Sequence, residues 1–152
     1  MNTSTREPLS LAEYKSELKK RSLKATPQRI AVHEAMLALG HACADQICEW
    51  ISANGKKPLT IASVYNILSQ MSLLGIYSHR LSANNKMYFD VNTFTHIHLY
   101  DTANNGFKDV LDEELIEMVE NRIRHKRYRG YKVDGIDIQI ICHPTAKKGI
   151  SK

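Results

Sequence analysis

The sequence is short of cysteine and has no Cys-x-x-Cys pair: its three cysteines, Cys43, Cys48 and Cys142, are odd in number and scattered. That excludes an intrachain disulfide framework, agrees with a reducing compartment, and removes the cysteine-rich kind of structural zinc site. Long hydrophobic runs are missing as well. The longest charge-free stretches still contain Ser, Asn, Gln and Gly, so none reaches the roughly 18–20 apolar residues of a membrane span. Met1 to Arg6 is polar and Leu9 onward carries Glu13, Lys15, Glu17, Lys19 and Lys20, which leaves no apolar region of a secretion signal. The expectation is a cytoplasmic protein without a membrane partner. Internal repeats and low-complexity segments are also lacking.

What is present suits one ordinary domain or two small ones joined by a hinge: 152 residues, 43% of them hydrophobic. Twenty-one Lys and Arg against sixteen Asp and Glu give a net charge of +5, and the pI is about 9.1. A basic protein of this kind favours an anionic partner without identifying it.

Leu9 to Arg21 alternates apolar and charged positions compatibly with a leading helix. Thr26-Pro27-Gln28-Arg29 then opens a second, with Thr26 as cap and Pro27 at the first helical position, where no backbone donor is missed. It runs to about Leu39, with Val32, Met36 and Leu39 on one face and Gly40 as its left-handed stop. A third helix fits Ala44 to Ala53, burying Ile47, Trp50 and Ile51, before Asn54-Gly55 ends it. From Thr60 to Gly75 no residue is charged. There Val64, Ile67, Leu68, Met71 and Leu74 repeat at helical spacing, opposite a neutral polar face of Ser63, Tyr65, Asn66, Ser69 and Gln70.

Ile76 to Leu81 and Lys86 to Phe89 read as strands joined through Ser82, Ala83, Asn84 and Asn85, a hairpin with Asn at the turn. Helices followed by a hairpin describe a winged helix-turn-helix. Beyond it the pattern changes. His96 to Tyr100 and Phe107 to Val110 read as strands around Ala103-Asn104-Asn105-Gly106. Asp112 to about Arg127 reads as a helix with acids at its start and cations at its end, and Tyr131 to Ile141 as a strand burying Ile136, Ile138 and Ile140. The predicted class is α+β: a winged-helix DNA-binding domain over 1–90, a hinge over 91–95 and an α/β dimerisation domain over 96–152. A sheet of about three short strands with one helix buries too little alone, so a homodimer is expected.

Two constellations carry chemistry. The polar face of the fourth helix offers donors and acceptors for base edges in the major groove through Ser63, Tyr65 and Asn66. Arg29, Lys56, Lys57, His79 and Arg80 are candidates for phosphates, Arg80 from the wing. The bland reading is a helix whose polar face packs under a loop. In the second constellation His96-Ile97-His98 places two imidazoles on one face of a strand. Alone such a pair is as well explained by two surface histidines, but Asp90, Asp109 and His41 can approach the same face. Imidazoles with carboxylates suit Fe²⁺, Mn²⁺ or Zn²⁺, and high oxygen content favours the first two.

Together these residues resemble the ferric uptake regulator (Fur) superfamily from about Leu23 to Ile141. The motifs are Leu23-Lys24-Ala25-Thr26-Pro27-Gln28-Arg29, His41 with Ala44-Asp45, Ala62-Ser63-Val64-Tyr65-Asn66, Tyr88-Phe89-Asp90 and His96-Ile97-His98. The resemblance implies a dimeric repressor binding double-stranded operator DNA, with His41, Asp90, His96, His98 and Asp109 as one regulatory metal site and Tyr65 and Asn66 as base contacts. Where the family commonly has paired Cys-x-x-Cys motifs, this chain has Asp101 and Asn104, and only Cys142 near the second. The structural zinc that four cysteines would hold is therefore expected to be absent. A second His-rich site is expected to be lost too, since Thr95 and Ile97 stand at its positions.

Asp109 resembles the peroxide-sensing (PerR) branch. There bound Fe²⁺ reacts with peroxide, an adjacent histidine, here His41 or His96, is oxidised, and DNA is released. The missing Cys-x-x-Cys and the run YFDVNTFTHIH instead resemble the iron response regulator (Irr) branch, which answers to haem, so haem stays a possible ligand. A metal-dependent enzyme is the remote alternative, disfavoured because neither a glycine-rich phosphate loop nor a nucleophile motif accompanies the histidines.

Overall fold

In a computed structural model, residues 8–82, 85–93 and 97–145 are described. The chain divides after Thr93 into two compact units.

In the first unit α1 spans Leu11–Lys20, opened by a reciprocal cap between Ser10 and Glu13. Helix α2, Pro27–Leu39, starts on the Thr26 side chain, which accepts from Arg29 N, and has proline in its first turn. Strand β1, His41–Ala42, precedes α3, Ala44–Ala53. Helix α4, Ile61–Leu73, is capped by Thr60, whose Oγ1 accepts from Ser63 N. A hairpin of β2, Ser78–Leu81, and β3, Met87–Asp90, follows. Asn85, at φ 62°, supplies the left-handed position that its loop needs.

Two expectations change here. Strand β3 extends to Asp90 because β1, unforeseen in the sequence, pairs with it and makes the sheet three-stranded in the order β1-β3-β2. Leu39 is 41% exposed: the helix ends at that residue, and Gly40, at φ 76°, turns the chain into β1, whose Ala42 takes a place in the core. The buried face of α2 is instead Val32, His33, Ala35 and Met36.

The second unit comprises β4, Ile97–Asp101, β5, Gly106–Val110, α5, Glu113–Arg124, and β6, Ile138–Cys142. Strand β4 is central, antiparallel to β5 and parallel to β6. Asp112 caps α5 by accepting from Leu115 N at 3.0 Å. The strand expected over Tyr131 to Ile141 is shorter: among the described residues it is β6, Ile138–Cys142, paired with Ile97 to Asp101 of β4. Of its expected buried residues Ile140 is 42% exposed. The fold is thus mixed helix and sheet, with a helical DNA-binding type of unit first and a sheet-containing unit second.

Candidate metal centre and DNA-facing helix

Strand pairing creates two histidine and carboxylate pairs, one in each unit. In the first, the β1–β3 register sets His41 opposite Asp90. His41 Nε2 lies 2.9 Å from Asp90 Oδ2, and the Asp90 side chain is only 2% exposed. The other carboxylate oxygen, Oδ1, accepts from Asn92 N at 2.8 Å, which fixes the orientation of the group. A carboxylate this deeply buried requires a cationic or hydrogen-bonding environment.

In the second unit the β4–β5 register sets His98 opposite Asp109. His98 Nε2 is 3.7 Å from Asp109 Oδ1, while its Nδ1 is 3.5 Å from Asp137 Oδ1. Phe107 meets the His98 ring edge-on, with centroids 6.1 Å apart. Asp137 was missed by sequence reading, which placed it on the outer side of a strand. Only the parallel pairing of β6 with β4, set by a long connection through α5, brings it to this imidazole. His96 lies outside the described residues.

The chemistry of each pair fits a divalent cation. Ligands about 2.0–2.2 Å from a metal stand about 3 Å apart when they share an edge of an octahedron. The His41–Asp90 separation of 2.9 Å has that size. Asp137 stands 3.5 Å from the second ring nitrogen of His98, an ion-pair distance longer than a well-formed hydrogen bond.

The turn where a Cys-x-x-Cys pair would stand has its own bonding. Asp101 Oδ1 accepts from Ala103 N at 2.9 Å and Asn104 N at 3.3 Å, and Asn104 Nδ2 donates to Oδ2 at 2.7 Å. The Asn104 amide, followed by those backbone donors, holds the Asp101 carboxyl below its usual range. Thr102 donates through both N and Oγ1 to Cys142 O, at 2.9 and 3.1 Å, joining the turn to the end of β6.

On α4 the polar face splits in two. Ser63, Tyr65 and Asn66 are exposed in the first turns, Tyr65 at 43%. Ser69 and Gln70 are half-buried, and Gln70 Oε1 accepts from Arg29 Nη2 at 3.0 Å. The exposed half is therefore the N-terminal half, the part of a recognition helix that meets base edges. Arg29 also donates to Lys24 O at 2.8 Å, so its guanidinium ties the start of α2 to α4. Lys56 pairs with Glu34 at 2.5 Å. Lys57 is exposed, Arg80 is half-buried on β2, and His79 Nδ1 lies 2.5 Å from Ser72 Oγ. Lys86 Nζ reaches Asp45 Oδ2 at 2.8 Å and clasps the hairpin to α3; that hydrogen bond raises the lysine pKa.

Comparison with known proteins gives this arrangement its context. A family profile described as the ferric uptake regulator family matches residues 20–141. No curated protein sequence matches significantly. Among solved structures, the Vibrio cholerae ferric uptake regulator is similar with a TM-score of 0.72 and 21% identity, covering 86% of this chain and 99% of that one. The Helicobacter pylori ferric uptake regulator, described as having three functional metal binding sites, gives 0.69 and 18%, with 96% and 97% covered. The Campylobacter jejuni peroxide stress regulator gives 0.59 and 25%, with 87% and 96% covered. With four-fifths of its length inside the family profile, the chain belongs to the ferric uptake regulator family, whose members are metal-responsive transcription regulators.

Proposed function

We propose that the protein is a homodimeric, metal-dependent repressor that reads double-stranded operator DNA through Ser63, Tyr65 and Asn66 of α4. His41, Asp90, His96, His98 and Asp109 would hold one divalent cation per subunit. The observation that carries this reading is the strand register, which sets His41 against Asp90 in one unit and His98 against Asp109 in the other. Donors of this kind suit Fe²⁺ or Mn²⁺ and accept Zn²⁺. A cation held by both pairs selects one mutual orientation of the units, and in a dimer one spacing of the two α4 helices. Arg29, Lys56, Lys57 and Arg80 lie on the DNA-reading unit, where their charge favours phosphate. No structural zinc held by four cysteines is part of this reading.

The signal is read as peroxide. Support comes from Asp109 and from the likeness, at 25% identity, to the Campylobacter jejuni peroxide stress regulator. Held by these residues, ferrous iron would supply electrons for peroxide reduction, and His41 and His96, as its ligands, would be the side chains that gain oxygen. The absent Cys-x-x-Cys pairs favour a second reading, an iron- or haem-responsive regulator.

Metal analysis of protein purified without added metal, paired with gel shifts, tests the core. One equivalent per chain is expected, with operator binding lost on chelation and in His98→Ala. Binding indifferent to both would overturn metal control. Iron-loaded protein treated with peroxide should carry added oxygen on peptides containing His41 or His96, whereas manganese-loaded protein should stay unmodified. A Soret band on haem titration, with DNA release and unmodified histidines, would replace peroxide with haem.

A further inference from the structure

From Asn121 to Val133 the sequence has no acidic residue, and it holds six of the chain's 21 cations: Arg122, Arg124, Lys126, Arg127, Arg129 and Lys132. Without them 15 cations would face 16 acids, so this short stretch turns a chain of net −1 into one of +5. All six are exposed. None has an ion-pair partner among the described residues.

The helix end explains only part of this. Arg122 and Arg124 lie in the last turn of α5 and complement its dipole. Lys126, Arg127, Arg129 and Lys132 lie beyond the His125 cap, where that field no longer acts on them. They are carried on an ordered turn: Tyr131 N donates to Tyr128 O at 2.9 Å, and Gly130, at φ 84°, takes the left-handed place before Tyr131. Arg129 is thereby set at the tip. Tyr128 and Tyr131 are themselves 44% and 83% exposed. Beside the turn lies a concavity of about 640 Å³, lined among others by Arg124, Arg127, Arg129 and both tyrosines.

We propose that this arm of the second unit is a DNA contact additional to α4, gripping the phosphodiester backbone without reading bases. It rests on the reading of the chain as a DNA-binding regulator. Guanidinium forks match phosphate oxygens bidentately, and a preformed turn loses little freedom when it binds. A duplex presents a continuous row of charge on which a row of cations can release counterions. The arm thus supplies sequence-independent affinity, while Tyr65 and Asn66 supply discrimination.

The test uses the full-length manganese-loaded protein and a duplex of arbitrary sequence, with affinity followed by fluorescence anisotropy across a salt series. In K126Q/R127Q/R129Q/K132Q the slope of log K against log salt should shrink by about 2 or more, since each lost phosphate contact is worth about 0.9. Affinity at moderate salt should fall about tenfold or more. R127K/R129K keeps the charges and should keep the slope, and circular dichroism melts of both variants report folding. An unchanged slope in a folded quadruple variant, with the wild type binding, overturns the arm and leaves the operator reading intact. A quadruple variant that sediments as monomer while the wild type is dimeric also overturns it, by making the arm a subunit contact. A wild type that binds no duplex in any metal state overturns both readings.

Discussion

Sixteen buried residues, from Tyr14 on α1 to Val91 past β3, form one apolar cluster in the first unit, whereas the second buries apolar side chains only at Ile97, Tyr100 and Ile116 among its described residues. The second also leaves Met118 64% and Ile141 67% exposed, and Val133 46%. The first unit is therefore stabilised by its own packing. The second buries little of its apolar surface by itself, as expected of a unit completed by another copy. The contrast matches the division of labour proposed above: a self-sufficient reading head, and a coupling unit whose stability depends on association.

The largest expected effect breaks the first side of the comparison. Leu68 is fully buried on α4 beneath the exposed Tyr65 and Asn66 turn. Leu68→Ala should destabilise the first unit by about 2–5 kcal/mol, the usual cost of such a cavity. Trp50, the chain's single tryptophan, is half-buried on α3, so its fluorescence reports this unit. A fluorescence melt shifted by less than about 1 kcal/mol would mean that the core is looser than its burial suggests.

The next effect acts on the second side. Ile141 lies on β6 with 67% of its surface exposed. Ile141→Glu should weaken the dimer at least about tenfold, equal to about 1.4 kcal/mol, while leaving the Trp50 melt in place. Sedimentation equilibrium measures the first and fluorescence the second. An unchanged dimer would move the subunit contact to another face.

How far the sequence could be read follows the same boundary between local and distant causes. The charge-free span from Thr60 to Gly75 and the period of Val64, Leu68 and Met71 are local patterns, and α4 was legible from them, although its cap at Thr60 and its end at Leu73 were not. The two-residue β1 was not, since its only cause is pairing with a strand nearly fifty residues on. Strand β6 was read too long for a related reason: its partner is β4, far away in sequence. In the candidate site, His41, Asp90, His98 and Asp109 were recognisable as metal-ligand types and through family motifs. Their pairing depends on strand register, which no local pattern encodes. Asp137 was missed because parallel pairing across a helix brings it to His98, and the engagement of Arg29 with Gln70 was hidden because two helices must pack before they meet.

The smallest effect separates the units by pH, and it rests on a residue that sequence reading passed over. His33 is 1% exposed. Its ring stacks on Tyr14 at 4.1 Å and faces Tyr77 at 5.8 Å. Nε2 lies 2.8 Å from Leu9 O and Nδ1 2.7 Å from Tyr77 Oη. A carbonyl only accepts, so Nε2 carries the proton; in the neutral ring that burial favours, Nδ1 accepts from the tyrosine. Burial pushes its pKa below the usual histidine value, against smaller opposing effects of the Leu9 carbonyl and the Glu34 charge. The unfolded chain then binds more protons than the folded one just below about pH 6.5. The stability due to neutral His33 is fully present above that pH and is lost as the pH falls toward the depressed folded value. The slope cannot exceed about 1.4 kcal/mol per pH unit for one proton. The readout is the difference between wild type and His33→Gln in urea melts followed by Trp50 fluorescence. Wild type should lose more stability between about pH 7.5 and about pH 5.5, either side of the ordinary histidine value, than the variant does. Parallel losses would mean that acid sensitivity enters elsewhere, and would remove the one pH-dependent element assigned to the self-sufficient unit.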